Sequence, residues 1–388
     1  MTQTNLSLKK LKGIKPKGIK TKTVSLTEKI IQASEQFVEQ FKDETFRGEN
    51  SEQTRDEVYY ECLNYLRSDL IKFPKFDKRH VDEFIYAAAN QDLNMIQSQL
   101  LGTFSSCLLH VLTERYQKEN QKASFCFDGT NNEFKYLFWR CKLIDELLVE
   151  NFKGDHICSH IDNANILINR SLKDPSNLAL AGSKGNIDLI WAIDVSGSGM
   201  GGIASGQGHA GVVIANHIFN NPANWGMCIT NVGGNGRADL VIGKNMDGFA
   251  PFGLSGANGS VGLMYLDDLK DTQPFMSTAH IDYYFIHTVL CSTLEEKKYA
   301  NTIHSGHLSH EELVCRAEDQ NRFNSLTAQY KLNEILNFTS DKAKTKPADQ
   351  LMKDARKIRS IYNQIKPELD KLQDKRDRSL PPGAHKRK

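Results

Sequence analysis

Apolar side chains recur at helical spacing over the first third of the chain. Ser25 and Glu28 form a capping-box pattern directly before the first such stripe, which is typical of a helix N-terminus. The same periodicity predicts further helices over 54–71, 79–89, 93–118 and 133–152. The pattern therefore predicts a mainly helical region over residues 25–155.

Short apolar runs bounded by glycine and turn residues replace the helical spacing after residue 155. They predict buried strands at 187–193, 238–243, 261–266 and 283–289. Seventeen of the 27 glycines lie between Gly197 and Gly262, and one helix is predicted at about 208–220. Residues 156–340 are therefore predicted to form a glycine-rich α/β region that binds a ligand.

Both ends of the chain differ from its body. Residues 1–24 have few apolar side chains and are predicted to be a disordered basic arm. Helical pattern returns from Ser309, with Glu312 as a second capping-box residue, and continues to about residue 337. A last helix is predicted at about 347–373, so residues 341–388 comprise a C-terminal helix and a basic tail.

Charge and composition exclude some functional classes. The apolar fraction is 39%, and no apolar run approaches the roughly 20 residues that span a bilayer, so no membrane span is predicted. Residues 1–23 carry seven lysines and no acid, and residues 371–388 carry seven basic residues against two acids. The remaining body is acidic, which argues against a wide nucleic-acid-binding face. The basic tails either contact anionic surfaces or are simply solvated.

The cysteines bear on the compartment. Eight cysteines are scattered without a CxxC pair, which is typical of reduced thiols in a cytoplasmic protein. The lysine- and asparagine-rich composition resembles that of effectors of intracellular bacteria. Secretion into a host cell without a Sec-type signal therefore stays open as an alternative to a cytoplasmic location.

A glycine-rich loop follows the apolar run that ends at Asp194. Glycine lets backbone N–H groups approach an anion closely, and a helix N-terminus adds positive potential, so "SGSGMGGIASGQGHAGVV" predicts a phosphate cradle. The glycines expected to hold the ligand are Gly199, Gly201, Gly202, Gly206 and Gly208. The alternative is a mobile surface loop, because the loop is neither a P-loop nor a clean dinucleotide fingerprint.

The segment "GNIDLIWAIDVSGSGMGGIASGQGHAGVVIANHI" resembles the first ligand loop of macrodomains, and the order of a helical region before it resembles the poly(ADP-ribose) glycohydrolase branch. The resemblance implies a three-layer α/β/α fold and recognition of an ADP-ribose-like nucleotide or an ADP-ribosylated protein. It further implies hydrolysis of an ADP-ribosyl glycosidic bond, with Asp194 contacting ribose or activating water and His209 supplying a proton. The paired glutamates of that branch are absent, His209 and Ala210 standing near their place. No cofactor is predicted.

A second resemblance involves the same histidine. The stretch "GHAGVVIANHIFNNPANWG" is similar to the histidine strand and Asn-Trp-Gly segment of papain-like cysteine peptidases, which have an α+β fold. That resemblance implies a hydrolase with Cys107 as nucleophile, His209 as base and Asn224 as the residue that orients it. Against it, Cys107 lies in the middle of a predicted helix, where cysteine normally behaves as a small buried side chain.

A histidine run offers a further candidate site. His304, His307 and His310 recur at three-residue intervals, which suits a metal if the segment is helical. The glycine at 306 and the capping pattern at Ser309 instead indicate a turn before a helix, so no metal site is predicted. The third functional hypothesis is a non-enzymatic interaction protein, for which long helices and basic tails suffice.

Overall fold

A single parallel sheet organises the molecule. The computed structural model describes residues 24–44, 51–70, 76–173, 185–197, 208–220, 236–247, 260–270, 284–297 and 308–379. Within these residues nine strands lie side by side in sequence order, and each pairs in parallel with the next. They are β1 (Ser124–Asp128), β2 (Glu146–Glu150), β3 (Asn163–Arg170), β4 (Asn186–Gly197), β5 (His209–Asn220), β6 (Arg237–Asp247), β7 (Ser260–Lys270), β8 (Tyr284–Cys291) and β9 (Leu308–Cys315).

Where the connections between neighbouring strands are described, the chain coils in register with the next coil. In the first two coils, Tyr136 N–H donates to the Asp155 carbonyl at 2.7 Å, and Arg140 N–H donates to the Ser159 carbonyl at 2.8 Å. In the reverse direction, Cys158 N–H donates to the Leu137 carbonyl at 2.8 Å. The sheet is therefore one wall of an all-parallel β-solenoid.

This architecture corrects the fold prediction. A macrodomain-like three-layer α/β/α fold places helices between successive strands, whereas the described connections from β1 to β8 contain none. The papain-like α+β alternative fails equally, because all nine strands belong to one parallel stack. Both predicted fold classes are wrong.

Apart from one helical turn at 294–297, the described helices lie before β1 or after β9. They are α1 (Leu26–Phe41), α2 (Ser51–Leu70), α3 (Lys78–Ala88), α4 (Met95–Lys118), α5 (Gln320–Gln329), α6 (Leu332–Phe338) and α7 (Ala348–Ser379). The first four and the last confirm their predictions, and the Ser25–Glu28 capping box is formed. The helices predicted over 133–152 and 208–220 are wrong, since a solenoid coil with β2 occupies the first segment and β5 the second. The helical pattern predicted from Ser309 to about residue 337 begins too early, because β9 occupies its start and α5 and α6 occupy the rest.

Helices α1–α4 form a layer that closes the first coil. Ser105 Oγ accepts from Phe138 N–H at 3.0 Å, Ser106 Oγ donates to the Trp139 carbonyl at 2.6 Å, and Tyr59 Oη accepts from Lys142 N–H at 3.1 Å. These hydroxyls form hydrogen bonds with backbone groups of the first coil that would otherwise pair with the backbone of a preceding coil. We call α1–α4 the cap.

Each apolar strand buries both faces, which explains its continuous hydrophobic run. In β4, Ile190 and Ala192 point to the solenoid interior and share one cluster with the cap. Leu189, Trp191 and Ile193 point the other way and contact the C-terminal helices. Helix α7 crosses this outer face from β3 to β8, and we call it the clasp helix.

A column of left-handed residues bends successive strands at the same level. Their φ angles lie between 52° and 57°, in the region that Asn and Asp tolerate best among non-glycine residues. Each residue of the column directly follows a residue that is a register partner of its neighbour on the adjacent strand. The column comprises Asn151, Ser171, Asp194, His217, Asn245 and Asp268. We call it the corner ladder, because it turns the chain into the next wall of the solenoid.

Candidate functional site

Three polar side chains converge on Asp239, a fully buried carboxylate near the start of β6. His209 Nε2 lies 2.9 Å from Oδ2, Tyr362 Oη donates to Oδ2 at 2.7 Å, and Arg237 Nε donates to Oδ1 at 2.6 Å. His209 and Arg237 begin adjacent registered strands, and the clasp helix supplies Tyr362. These four residues are the Asp239 cluster.

Electrostatics fix the protonation of this cluster. Burial alone would raise the pKa of Asp239, but hydrogen bonds from His209 and Tyr362 and the charge of Arg237 outweigh it and hold that pKa below its usual value. Burial and the neighbouring carboxylate raise the pKa of Tyr362. Asp239 is therefore an ionised acceptor and Tyr362 a protonated donor, which ties the clasp helix to the sheet.

His209 is placed differently from its predicted catalytic role. In the described part of the chain it bonds to Asp239 and to no serine or cysteine, and its side chain is 26% exposed. The contact with Asp239 orients the imidazole ring, but among the described residues it brings no nucleophile to it. His209 as a catalytic residue stays a prediction, and its contact in the structure joins β5 to β6.

Asp194 occupies a second location, in the corner ladder. Ser171 Oγ donates to its Oδ2 at 3.2 Å, and Lys344 Nζ lies 3.9 Å from Oδ1. Asp194 lies beside His217, whereas His209 lies beside Asn186 at the other end of the paired strands. Eight residues of strand separate the two levels, roughly 25 Å at 3.3 Å per residue. The structure does not bring Asp194 and His209 together.

The predicted ligand loop falls largely outside the described residues. Gly199, Gly201, Gly202 and Gly206 all lie there. Gly208 is described, and its carbonyl accepts from Arg237 N–H at 2.9 Å as part of the coil-to-coil ladder. The fold removes the macrodomain resemblance that suggested ADP-ribose, so binding of that nucleotide stays a prediction.

Cys107 is part of the cap. It is fully buried in the middle of α4, with Sγ 3.4 Å from the Tyr59 carbonyl, and burial together with a hydrogen bond to Cys62 raises its pKa well above the usual value. A thiolate nucleophile needs the opposite environment. Asn224 lies outside the described residues. With a solenoid in place of the papain-like fold, that resemblance is wrong.

The histidine run is only partly described. His304 and His307 lie outside the described residues, while His310 belongs to β9. The strand shows that the helix start predicted at Ser309 is wrong. Among the described residues, no group of three or more His, Cys, Asp or Glu side chains is arranged to hold a metal ion.

The Asp239 cluster was not predicted from the sequence, although two signals point to it. An aspartate stands second in two apolar runs, as Asp188 in "IDL" and Asp239 in "ADL". The last helix repeats long polar side chains at three-residue steps, as Arg356, Arg359 and Tyr362. In the structure Arg359 pairs with Asp188 and Tyr362 with Asp239, so both patterns mark one interface.

No family model, curated protein or solved structure matches the chain. None of the helices in the described ranges combines the length and apolar character that a transmembrane helix requires. The geometry of the solenoid, its cap and its clasp helix therefore carries the functional argument.

The clasp contacts predict an acid-labile fold. Burial would raise the pKa of Glu146, but hydrogen bonds from Arg356 and Lys122 outweigh it, so its pKa, like that of Asp239, is lowered. Their stabilisation is present above the unfolded pKa values, 4.5 and 3.8, and is lost as pH falls through the lower folded values. We expect the melting temperature to fall steeply below about pH 4.5, and Glu146→Gln to flatten that dependence. The exposed Glu61→Gln is the control, and a melting temperature constant down to pH 3 would contradict the argument.

Proposed function

We propose that the chain is a non-enzymatic interaction protein whose solenoid is a rigid platform. One observation carries this proposal: the predicted catalytic residues that are described, His209, Asp194 and Cys107, each make contacts within the fold. His209 and Asp239 join β5, β6 and the clasp helix, and Cys107 is sealed in the cap. Residues that act together on one substrate must lie close to each other, whereas Asp194 and His209 lie roughly 25 Å apart along the strands.

The architecture suits a platform. Stacked coils bond to their neighbours through the backbone, so the stack forms an extended surface of fixed geometry. The cap closes the first coil, and the clasp helix spans from Glu146 of β2 to Asp239 of β6 through Arg356 and Tyr362. These contacts restrict fraying, which favours a surface that a partner recognises without prior ordering.

The test compares the full chain with Cys107→Ala, Asp194→Asn and His209→Gln. Each is assayed with an ADP-ribosylated protein and with a fluorogenic peptide, and each is cross-linked in cells that express it before mass spectrometry. We expect no turnover above background from any of the four chains, and the same cross-linked partner from all of them.

Turnover by the wild-type chain that His209→Gln or Asp194→Asn abolishes, at unchanged melting temperature, would overturn the proposal in favour of an ADP-ribosyl hydrolase. Turnover of the peptide that depends on Cys107 would overturn it in favour of a thiol hydrolase. Absence of any recurrent partner would count against it equally.

A further inference from the structure

A groove separates helix α3 from the first strand of the sheet. Its volume is 230 Å³. Lys78, Asp82, Ile85 and Tyr86 of α3 line one side, and Cys126 and Asp128 of β1 line the other. The Tyr86 side chain is 68% exposed at its rim. Tyrosine is enriched where proteins bind one another, because its ring is apolar and its hydroxyl is polar.

The β1 strand offers unpaired backbone groups to this groove. Glu146 N–H donates to the Ala123 carbonyl at 3.0 Å and Gly129 N–H to the Glu150 carbonyl at 2.8 Å, so odd-numbered residues of β1 pair with β2. In a parallel ladder the even-numbered residues then direct their N–H and C=O groups away from β2. β1 is the first strand in the order of the sheet, so among the described residues no further strand lies on that side of Cys126. An open strand edge of this kind accepts a further strand.

The charges in the groove favour a basic occupant. Lys78 is neutralised by Asp82, with Nζ 2.8 and 2.6 Å from the two carboxylate oxygens. Asp128 Oδ1 accepts from Thr130 N–H at 2.8 Å and from Asn151 Nδ2 at 3.0 Å. No cationic side chain among the described residues pairs with Asp128. One carboxylate is therefore left for a cation from outside.

The remaining lining is apolar. Ile85 is buried, and the rings of Phe127 and Phe152 are buried beside it. Successive side chains of an extended strand point to opposite faces, so an occupant that places one side chain at Asp128 places its neighbours against this apolar part. The groove fits an alternation of basic and apolar side chains.

We propose that this groove binds an extended segment of a partner protein, which adds as a strand to the outer edge of β1 and alternates basic with apolar side chains. The inference rests on the proposed function, an interaction protein, and specifies where the partner binds. A second copy of the chain is disfavoured, because α3 lines the other side of the groove and stands beside the edge that a second sheet would have to approach.

Fluorescence anisotropy with the full-length protein tests the proposal. The probe is a fluorescein-labelled seven-residue peptide of alternating lysine and valine. Two further peptides carry backbone N-methyl groups, one on the lysines and one on the valines, so that each loses its N–H groups on one side only. We expect one methylated peptide to bind about tenfold more weakly, through lost ladder hydrogen bonds, and the other to bind as the parent does. Equal affinity of both would overturn strand addition.

Protein variants locate the site. Ala89→Trp, directly after α3, fills the groove and should abolish binding. Ala87→Trp, at an exposed position of α3 outside the groove lining, should not. Asp128→Asn keeps its two acceptor contacts and should weaken binding about fivefold, as expected for one exposed ion pair. Glu61→Gln on α2 is the matched charge control. Binding that Ala89→Trp leaves intact would overturn the assignment.

The outcomes separate this inference from the proposed function. If the parent peptide does not bind, the groove is not the binding site. The proposed function would still hold if a partner cross-links elsewhere on the chain. Sedimentation could instead reveal a concentration-dependent dimer that Ala89→Trp abolishes. That result would show that the groove binds a second copy of the chain and not a segment of a partner protein.

Discussion

Tyr362→Ala should lower the free energy of unfolding by about 3–5 kcal/mol, the range for truncating a large buried aromatic side chain. Tyr362 is fully buried between the clasp helix and the sheet, and its hydroxyl donates to Asp239. The substitution leaves a cavity at the centre of the interface and removes one donor from a buried carboxylate. Urea denaturation followed by far-ultraviolet circular dichroism measures the change.

Two variants separate the ring from its hydroxyl. Tyr362→Phe keeps the ring and should lower the free energy of unfolding by about 1–2 kcal/mol, because Asp239 retains His209 and Arg237. Asn363→Ala, at the next, exposed position of the same helix, should change it by less than about 0.5 kcal/mol. If Tyr362→Ala matched Asn363→Ala, the clasp helix would not stabilise the solenoid.

Gly211→Ala should destabilise the protein by about 3 kcal/mol, because the added methyl group has no room. A Cβ atom at Gly211 would lie 2.5 Å from the Asp188 carbonyl oxygen and 2.6 Å from the Tyr362 ring. The absence of a side chain thus lets the ring and the neighbouring coil approach β5 together. The same denaturation measurement applies.

A double-mutant cycle checks the cause. Combining Gly211→Ala with Tyr362→Ala removes the ring contact. The double variant should therefore lose less free energy of unfolding than the two single variants lose together. The contact with the Asp188 backbone remains, and some of the Gly211→Ala loss should persist. Strict additivity would show that the methyl group does not meet the ring.

The helices at the two ends of the described chain were predictable because their periodicity is long and their termini are marked. The capping box of α1 and the apolar stripe of α7 are local signals, and local signals survive in a sequence read alone. The segment 133–152 misled because Leu137, Cys141 and Ile144 are spaced as on a helix. In the coil the same three residues are buried through successive bends.

Strand β5 shows why the fold class was missed. A short apolar run such as "AGVVIA" does not distinguish a strand from a buried helix, and the preceding glycines favoured a phosphate loop followed by a helix. Its β-branched side chains were the contrary signal. More telling, "IDLIWAID", "AGVVIANH", "ADLVIGKN" and "VGLMYLDD" begin at register partners of four successive strands. This internal repeat is the sequence signature of a solenoid.

The candidate site was less predictable than the fold. His209 stood out because glycines flank it, but its partner Asp239 lies on the next strand and Tyr362 lies 123 residues beyond Asp239. Pairings at such separations depend on tertiary structure. The groove at β1 has no local signal at all, since it exists only where α3 meets an open strand edge.

The clasp helix bears on how the protein is made. Arg356 and Glu146, which it joins, are 210 residues apart, and the outer face of the sheet is apolar until α7 covers it. During synthesis at about 5–20 residues per second, that face stays open for several seconds after β9 has left the ribosome. Premature termination before α7 is complete would therefore yield a nascent chain with an uncovered apolar wall, a substrate for chaperones and proteases.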